Sequence, residues 1–292
     1  MNHAVERYLA PTSLTQALAV LAESGGATVL AGGTDLMPQS RAGRVKFART
    51  LLNIRRVPGM DMVEVADGKL LLGALVTIST LVDHPLVRDH APLLSQAADH
   101  FASDQIRNAA TLGGNLCNAS PAGDTLTPLM ALDAEIELVG LDGTGVLQSR
   151  WLPLDGFFTG PGRTQRKPNE LLRGVRLPVA PDDQKVAFYK AGVRPALDIS
   201  TISIAFAARR RDRAILHDVR LALGAVAPTP IRARRTEALL EGKALTAELV
   251  RVAAASAASE ATPIDDVRAS GWYRKELVLN MTQRILEDVG NN

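Results

Sequence analysis

Apolar and polar positions repeat along this chain with two different periods, and the changes of period mark its elements. Leu14, Ala17, Leu18 and Leu21 recur at helical spacing behind a Ser13/Gln16 capping-box pair, and Gly25-Gly26 ends the run, so the spacing predicts a helix within 11–24. Thr28-Val29-Leu30-Ala31 then reads as a short buried strand, 36–40 as the start of a helix and Leu51-Leu52-Asn53-Ile54 as another strand. The first ~55 residues thus predict a small α/β unit. Apolar runs at 62–65 and 69–72 flank Asp67-Gly68, a hairpin signal, and runs at 135–141 and 146–151 flank Asp142-Gly143, a second one. Between them, 78–102 is helical in pattern but broken at Pro85 and Pro92. Beyond 183 the period-2 runs 200–208 and 219–226 precede helical runs at 234–240, 248–261 and 272–289. Strands followed by helices predict an α+β module rather than alternating βαβ units.

Two polar, proline-containing stretches divide this pattern. Arg55-Arg56-Val57-Pro58-Gly59 marks one junction and 178–183 another. The expected organisation is a domain at 1–178, with subdomains of about 1–57 and 58–178, and a second domain at 183–292. A length of 292 residues supports two or three such cores, and 46% hydrophobic with 22% charged residues is ordinary for a soluble globular chain. Every apolar run is interrupted by Gly, Pro or charge before it could span a bilayer. Residues 1–7 lack a basic-then-apolar signal pattern, and the single cysteine, Cys117, supports neither a disulfide framework nor a multi-thiolate cluster. The expected compartment is cytoplasmic. Net charge is only +2, although 209–235 holds eight arginines against Asp212 and Asp218. That excess reads either as the solvated tip of a hairpin at 209–213 or as a docking surface for an acidic partner.

The candidate chemistry lies in two glycine pairs 80 positions apart, Ala31-Gly32-Gly33-Thr34-Asp35 and Thr111-Leu112-Gly113-Gly114-Asn115. Glycine lets a backbone approach a ligand without a Cβ in the way, and consecutive amides form a concave anion site. Two such turns, each with a hydroxyl (Thr34, Thr111), predict one ligand gripped from both sides at its phosphates. In the second, Gly113 and Gly114 are expected to offer amides, Ser120-Pro121 to stiffen the following loop, and Asp124 to accept from ligand hydroxyls. The alternative is an ordinary turn with Asp124 capping a helix that starts near Thr125.

The usual owners of such turns do not fit. No Gly-x-Gly-x-x-Gly follows a strand, Gly242-Lys243 is followed by Ala244 rather than Ser or Thr, and no Gly-x-Ser-x-Gly elbow exists. The five histidines (3, 84, 90, 100 and 217) lack metal-ligand spacing. No side-chain constellation reads as catalytic, so the chemistry falls to a bound cofactor.

The segments Ala31-Gly32-Gly33-Thr34-Asp35-Leu36, Thr111-Leu112-Gly113-Gly114-Asn115 and Ser120-Pro121-x-x-Asp124 resemble those of the FAD-binding (medium) subunits of molybdenum hydroxylases. That family includes carbon monoxide dehydrogenase medium subunits and the FAD domain of xanthine dehydrogenase. The resemblance continues through Asn169-Glu170-Leu171-Leu172, Lys190 ahead of Leu197-Asp198-Ile199-Ser200, Ala227–Arg232 and 263–270, and so covers nearly the whole chain in order.

It implies an α+β chain, with an FAD-binding domain of the two-subdomain, vanillyl-alcohol-oxidase-like type followed by a smaller C-terminal domain of antiparallel strands and helices. By position, Val29, Leu30, Ala31, Gly32, Gly33, Thr34, Asp35 and Leu36, with Thr111, Leu112, Gly113, Gly114 and Asn115, would hold the FAD pyrophosphate. Asp124 would bind FAD hydroxyls, and Phe101, Leu172 and Lys190 would lie near the flavin or adenine end. For Leu172 the competing reading is strand core and for Lys190 a solvated amine. Cys117 reads as a small buried thiol rather than a covalent flavin anchor. The implied complex pairs this chain with a molybdopterin-binding large subunit and a 2Fe-2S small subunit, as a dimer of heterotrimers. Electrons would pass from the iron–sulfur clusters to FAD and on to NAD, a quinone or oxygen. The rivals are a stand-alone FAD oxidase or reductase of the same fold and an assembly protein that has lost flavin. Substrate turnover by the chain alone would mark the first, and a colourless purified protein the second.

Overall fold

The computed structural model describes residues 5–23, 26–194, 197–211 and 215–291. At the N-terminus, β1 (Arg7–Leu9), α1 (Leu14–Ala22), β2 (Thr28–Leu30), α2 (Leu36–Arg41) and β3 (Thr50–Asn53) build a parallel sheet of order β1-β3-β2. Helix α1 starts where the capping pair predicts. The Ser13 hydroxyl accepts the Gln16 amide at 3.2 Å, the Gln16 side chain accepts the Thr12 amide at 3.2 Å, and Ala17, Leu18 and Leu21 are buried.

The next unit runs through β4 (Val63–Ala66), β5 (Lys69–Gly73), α3 (Ile78–Asp83), α4 (Pro85–His90), α5 (Pro92–Asp99), α6 (Asp104–Arg107), α7 (Leu112–Asn118) and α8 (Leu126–Ala131). It continues with β6 (Glu135–Leu141), β7 (Leu147–Pro153), β8 (Phe158–Gly160), β9 (Arg163–Thr164) and β10 (Leu171–Pro178). Its antiparallel sheet has the order β4-β5-β10-β6-β7, with β8 and β9 paired apart from it. Asp67 and Gly68 both have positive φ (51° and 69°), the primed turn that matches strand twist. The second hairpin closes differently. Gly145 takes the positive φ (81°), and the Asp142 carboxylate binds the Thr144 and Val146 amides, which with the Thr144 hydroxyl hold it down at about 2. Pro85 and Pro92 each open a helix, since a missing N–H costs nothing in a first turn. The sheet buries Leu70, Leu72, Ile136, Leu138, Val175 and Leu177. Its partly exposed polar groups pair across strands: Arg176 and Lys69 both bind Glu135, and Arg176 also lies 4.0 Å over the Trp151 ring.

The C-terminal unit comprises β11 (Gln184–Ala191), β12 (Ile202–Arg211), β13 (Ile215–Gly224), β14 (Ile231–Arg232), α9 (Arg234–Leu240), α10 (Ala247–Glu260) and α11 (Gly271–Asn291). The antiparallel sheet β11-β12-β13-β14 is covered on both sides, and β12 shows how. Its large residues Ile202, Ile204 and Phe206 join the core made with α9–α11, while Ala205 and Ala207 join the core of the preceding domain. Small side chains on one face let that domain approach closely.

Six of the eight arginines of 209–235 are engaged within the protein. Arg209 binds Asp183 at 2.8 Å, and Arg210 binds the Val289 and Gly290 carbonyls that end α11. Arg220 and Arg232 both bind Asp133, Arg234 binds Asp155, and Arg235 lies 3.9 Å from Glu260. Asp133 and Asp155 precede β11, so three of these arginines tie the C-terminal unit to the rest. Arg213 and the hairpin tip lie outside the described residues. No described helix is long and apolar enough to cross a membrane.

Candidate cofactor site

Strand β2 delivers the chain to the carboxyl edge of the parallel sheet, the usual place for a ligand crevice in such sheets. There Gly33 adopts φ +72°, which only glycine reaches without strain, and α2 begins three residues later. Among the described residues, the amides of Gly32, Gly33, Thr34 and Asp35 donate to no protein acceptor. Four unpaired N–H groups in succession carry partial positive charge. The Asp35 side chain does not cap the helix and is held instead by the Gln39 amide group.

Gly32 also joins the two glycine segments. A Cβ there would stand 2.1 Å from the Ala109 carbonyl oxygen, so the first turn presses directly on the backbone leading into the second. The two segments face one cleft of about 440 Å³.

The second segment is the first turn of α7 rather than a free turn. Thr111 is its N-cap, and its hydroxyl oxygen accepts the Gly114 amide at 3.1 Å. The Gly113 amide donates to the Ala74 carbonyl at 2.8 Å, and the Leu112 amide to that of Val76 at 2.9 Å. The expectation that Gly113 and Gly114 offer amides to a phosphate is therefore corrected. Those amides are committed within the protein, and the available ones belong to the first turn. What α7 presents is close backbone and the Thr111 O–H, whose proton is left for an outside acceptor. A Cβ on Gly113 would meet Ala74 Cβ at 2.6 Å, whereas one on Gly114 meets only the Thr111 hydroxyl, at 2.8 Å.

Helical spacing explains the rest of α7. Leu112 and Leu116 are fully buried, while Gly114, Cys117 and Asn118, three and four apart, line the cleft. Cys117 is accordingly exposed, not a buried core thiol. Protein surrounding the cleft pushes the thiol up, and the Arg166 guanidinium pulls against that shift.

Most of the expected residues meet at this cleft: Val29, Ala31 to Leu36, Phe101, Thr111, Gly113, Gly114, Asn115 and Leu172 all line it. Leu30 and Leu112 do not; Leu112 is core, and the Leu30 side chain packs by Gly33. Asp124 and Lys190 are also off this wall and meet each other. Lys190 Nζ lies 2.7 Å from Asp124 Oδ2 and donates to the His100 carbonyl at 3.0 Å, and Ser200 Oγ donates to Asp124 Oδ1 at 2.7 Å. Burial pushes the Asp124 carboxyl up, opposed by the Lys190 ammonium and the Ser200 hydroxyl. Lys190 is thus no solvated amine, since its side chain is 8% exposed. It borders a second depression of about 400 Å³, together with Arg107, Arg194 and Asp198.

Sequence reasoning missed other wall residues, among them Gln39, Val45, Ile54, Leu75 and Arg166. None stands in a recognisable pattern; they reach the cleft through pairing and packing with distant segments. The site's chemistry fits a dinucleotide diphosphate: unpaired amides, a hydroxyl proton, glycine where a Cβ would intrude, and apolar Phe101, Leu171 and Leu172 for a ring.

A model of the FAD-binding domain in molybdopterin dehydrogenases matches residues 3–180, and one of the CO dehydrogenase flavoprotein C-terminal domain matches 187–289. The chain is 33% identical over 284 residues to the putative xanthine dehydrogenase FAD-binding subunit of Escherichia coli (strain K12), covering 96% of this chain and 94% of that one. It is 32% identical over 282 residues to the carbon monoxide dehydrogenase medium chain of Hydrogenophaga pseudoflava, covering 96% and 95%. The solved structure of Hydrogenophaga pseudoflava carbon monoxide dehydrogenase lacking the Mo-pyranopterin moiety superposes with a TM-score of 0.91 at 31% identity, over 97% of this chain and 96% of that one.

Proposed function

The chain belongs to the family of FAD-binding medium subunits of molybdopterin dehydrogenases, and on that premise we propose that it is the electron-collecting subunit of a molybdenum hydroxylase. FAD, when bound, accepts single electrons, stores a pair and gives them up as a pair or singly. In the proposed complex the electrons come from a 2Fe-2S small subunit served by a molybdopterin large subunit, and they leave to NAD, a quinone or oxygen. A dimer of heterotrimers in the cytoplasm is the assembly we expect, with residues 1–178 holding the cofactor and 183–292 closing over its domain.

The contribution of this chain is binding and orientation. The Gly32–Asp35 amides and the Thr111 hydroxyl hold the diphosphate, Gly114 keeps the α7 wall clear, and Phe101 and Leu172 flank a ring. Among the described residues the cleft's one carboxylate, Asp35, is engaged by Gln39. The observation that carries this reading is the row of unpaired amides facing Thr111 and Gly114 across a single cleft.

The test is Gly114→Val. Its side chain would project into the cleft with only the Thr111 hydroxyl displaced, so the variant is expected to fold and to purify without flavin absorbance. A variant that keeps full flavin would refute the placement of the cofactor beside α7.

A further inference from the structure

We propose that Arg166 is a cofactor-binding residue whose guanidinium pairs with the diphosphate of the dinucleotide. The inference rests on the FAD reading above and adds a residue that no motif singles out.

Arg166 is the one basic side chain among the described residues that line the cleft. It is half-buried in the loop between β9 and β10 and is held from behind: Nη1 donates to the Glu170 carbonyl at 2.7 Å and to the Lys167 carbonyl at 3.1 Å. Carbonyls fix its position without neutralising it. The nearest acid in sequence, Glu170, is already consumed. Its two oxygens take Arg150 Nε and Nη2, each at 2.8 Å, and the Lys167 amide also binds at 2.8 Å. Among the described residues no carboxylate lies within ion-pair distance of Arg166, whereas Arg150, Arg173 and Arg176 of the same domain all pair with one.

An arginine fixed by carbonyls, unneutralised and set on a cleft wall has donors and charge to give to a ligand. Oxidised FAD carries its formal negative charge on the diphosphate alone. The amides of the first turn supply partial charges, and Arg166 supplies the one full positive charge among the described residues of the cleft lining. A planar fork suits phosphate oxygens in two-point contact. The competing use of the same group is stacking on the adenine face, which would not depend on phosphate.

The experiment uses the full chain stripped of flavin and titrated calorimetrically with FAD, ADP, adenosine and riboflavin. Arg166→Gln is expected to weaken FAD and ADP by a common factor of roughly tenfold or more, the range of hydrogen bonds to charged groups. Adenosine and riboflavin should bind as they do to the wild type. Unchanged FAD affinity would overturn the assignment, as would equal losses for adenosine and ADP, which would mark stacking. Arg166→Lys keeps the charge without the fork, and its smaller loss must again be confined to FAD and ADP; this comparison stands should the Gln variant fold poorly. A wild-type chain that binds neither FAD nor ADP would overturn the flavin reading itself, an outcome distinct from one in which both proteins bind FAD equally.

Discussion

Three glycines of the site do three different jobs. Gly32 is a packing contact between two backbones, Gly113 is a packing contact against Ala74, and Gly114 leaves room on the cleft side. Gly32→Ala should therefore destabilise the fold outright, by about 3 kcal/mol or more, because neither backbone can yield cheaply. Urea unfolding would read this loss, whereas Gly114→Val should lose flavin at a stability cost near that of the displaced Thr111 cap, about 1 kcal/mol. Thr111→Ala removes both the α7 cap and the hydroxyl proton. It should cost about 1 kcal/mol in thermal unfolding and weaken flavin retention, and Thr111→Ser should restore both. The fold brings both glycine pairs to one cleft, and the pairs themselves were legible in the sequence. The division of labour between them was not, because it depends on the Ala74 and Val76 carbonyls, which lie nearly 40 positions earlier in the chain. Cys117 shows the same limit: its exposure follows from which face of a seven-residue helix meets the cleft.

At the scale of elements, strong local signals carried through. The Ser13 cap, the Asp67-Gly68 turn and the helix-opening prolines act through neighbours in sequence, so spacing alone located them. Strand β11 escaped notice because all its residues are half-buried, which leaves no alternation to detect. The polar ladder of the five-stranded sheet was equally hidden, since Lys69, Glu135 and Arg176 come from three strands. Arg176 and then Lys69 lower the Glu135 carboxyl from its ordinary 4.5 to about 2. A depressed carboxyl stabilises the fold fully above its unfolded value, and that contribution fades as pH falls towards the folded one. Glu135→Gln should thus be about 1 kcal/mol less stable at neutral pH, a value kept small by solvent screening. Its urea midpoint should also fall less than that of the wild type between about pH 5 and pH 2.

Across the whole molecule, ion pairs join the C-terminal unit to the rest of the chain. Arg232 is 9% exposed and bonds to Glu237, to Asp133 and to the Met130 carbonyl, bridging the C-terminal unit and α8. Arg232→Leu would leave the buried Glu237 carboxylate with only the more exposed Arg234 as a counter-charge, at a cost of about 3 kcal/mol. Differential scanning calorimetry should then show a transition at lower temperature. Asp124, Lys190 and Ser200 make a second buried bridge across the same boundary. Sequence resemblance brought those residues forward, and the fold reveals them as partners of one another.

The Gly32–Ala109 contact has a mechanical consequence. Two backbones that meet with no side chain between them leave no slack: an added side chain would force them apart, and parting them would open a void beneath the first turn. The first turn and the segment ahead of α7 therefore keep one fixed separation, and a change of volume in either is felt by both.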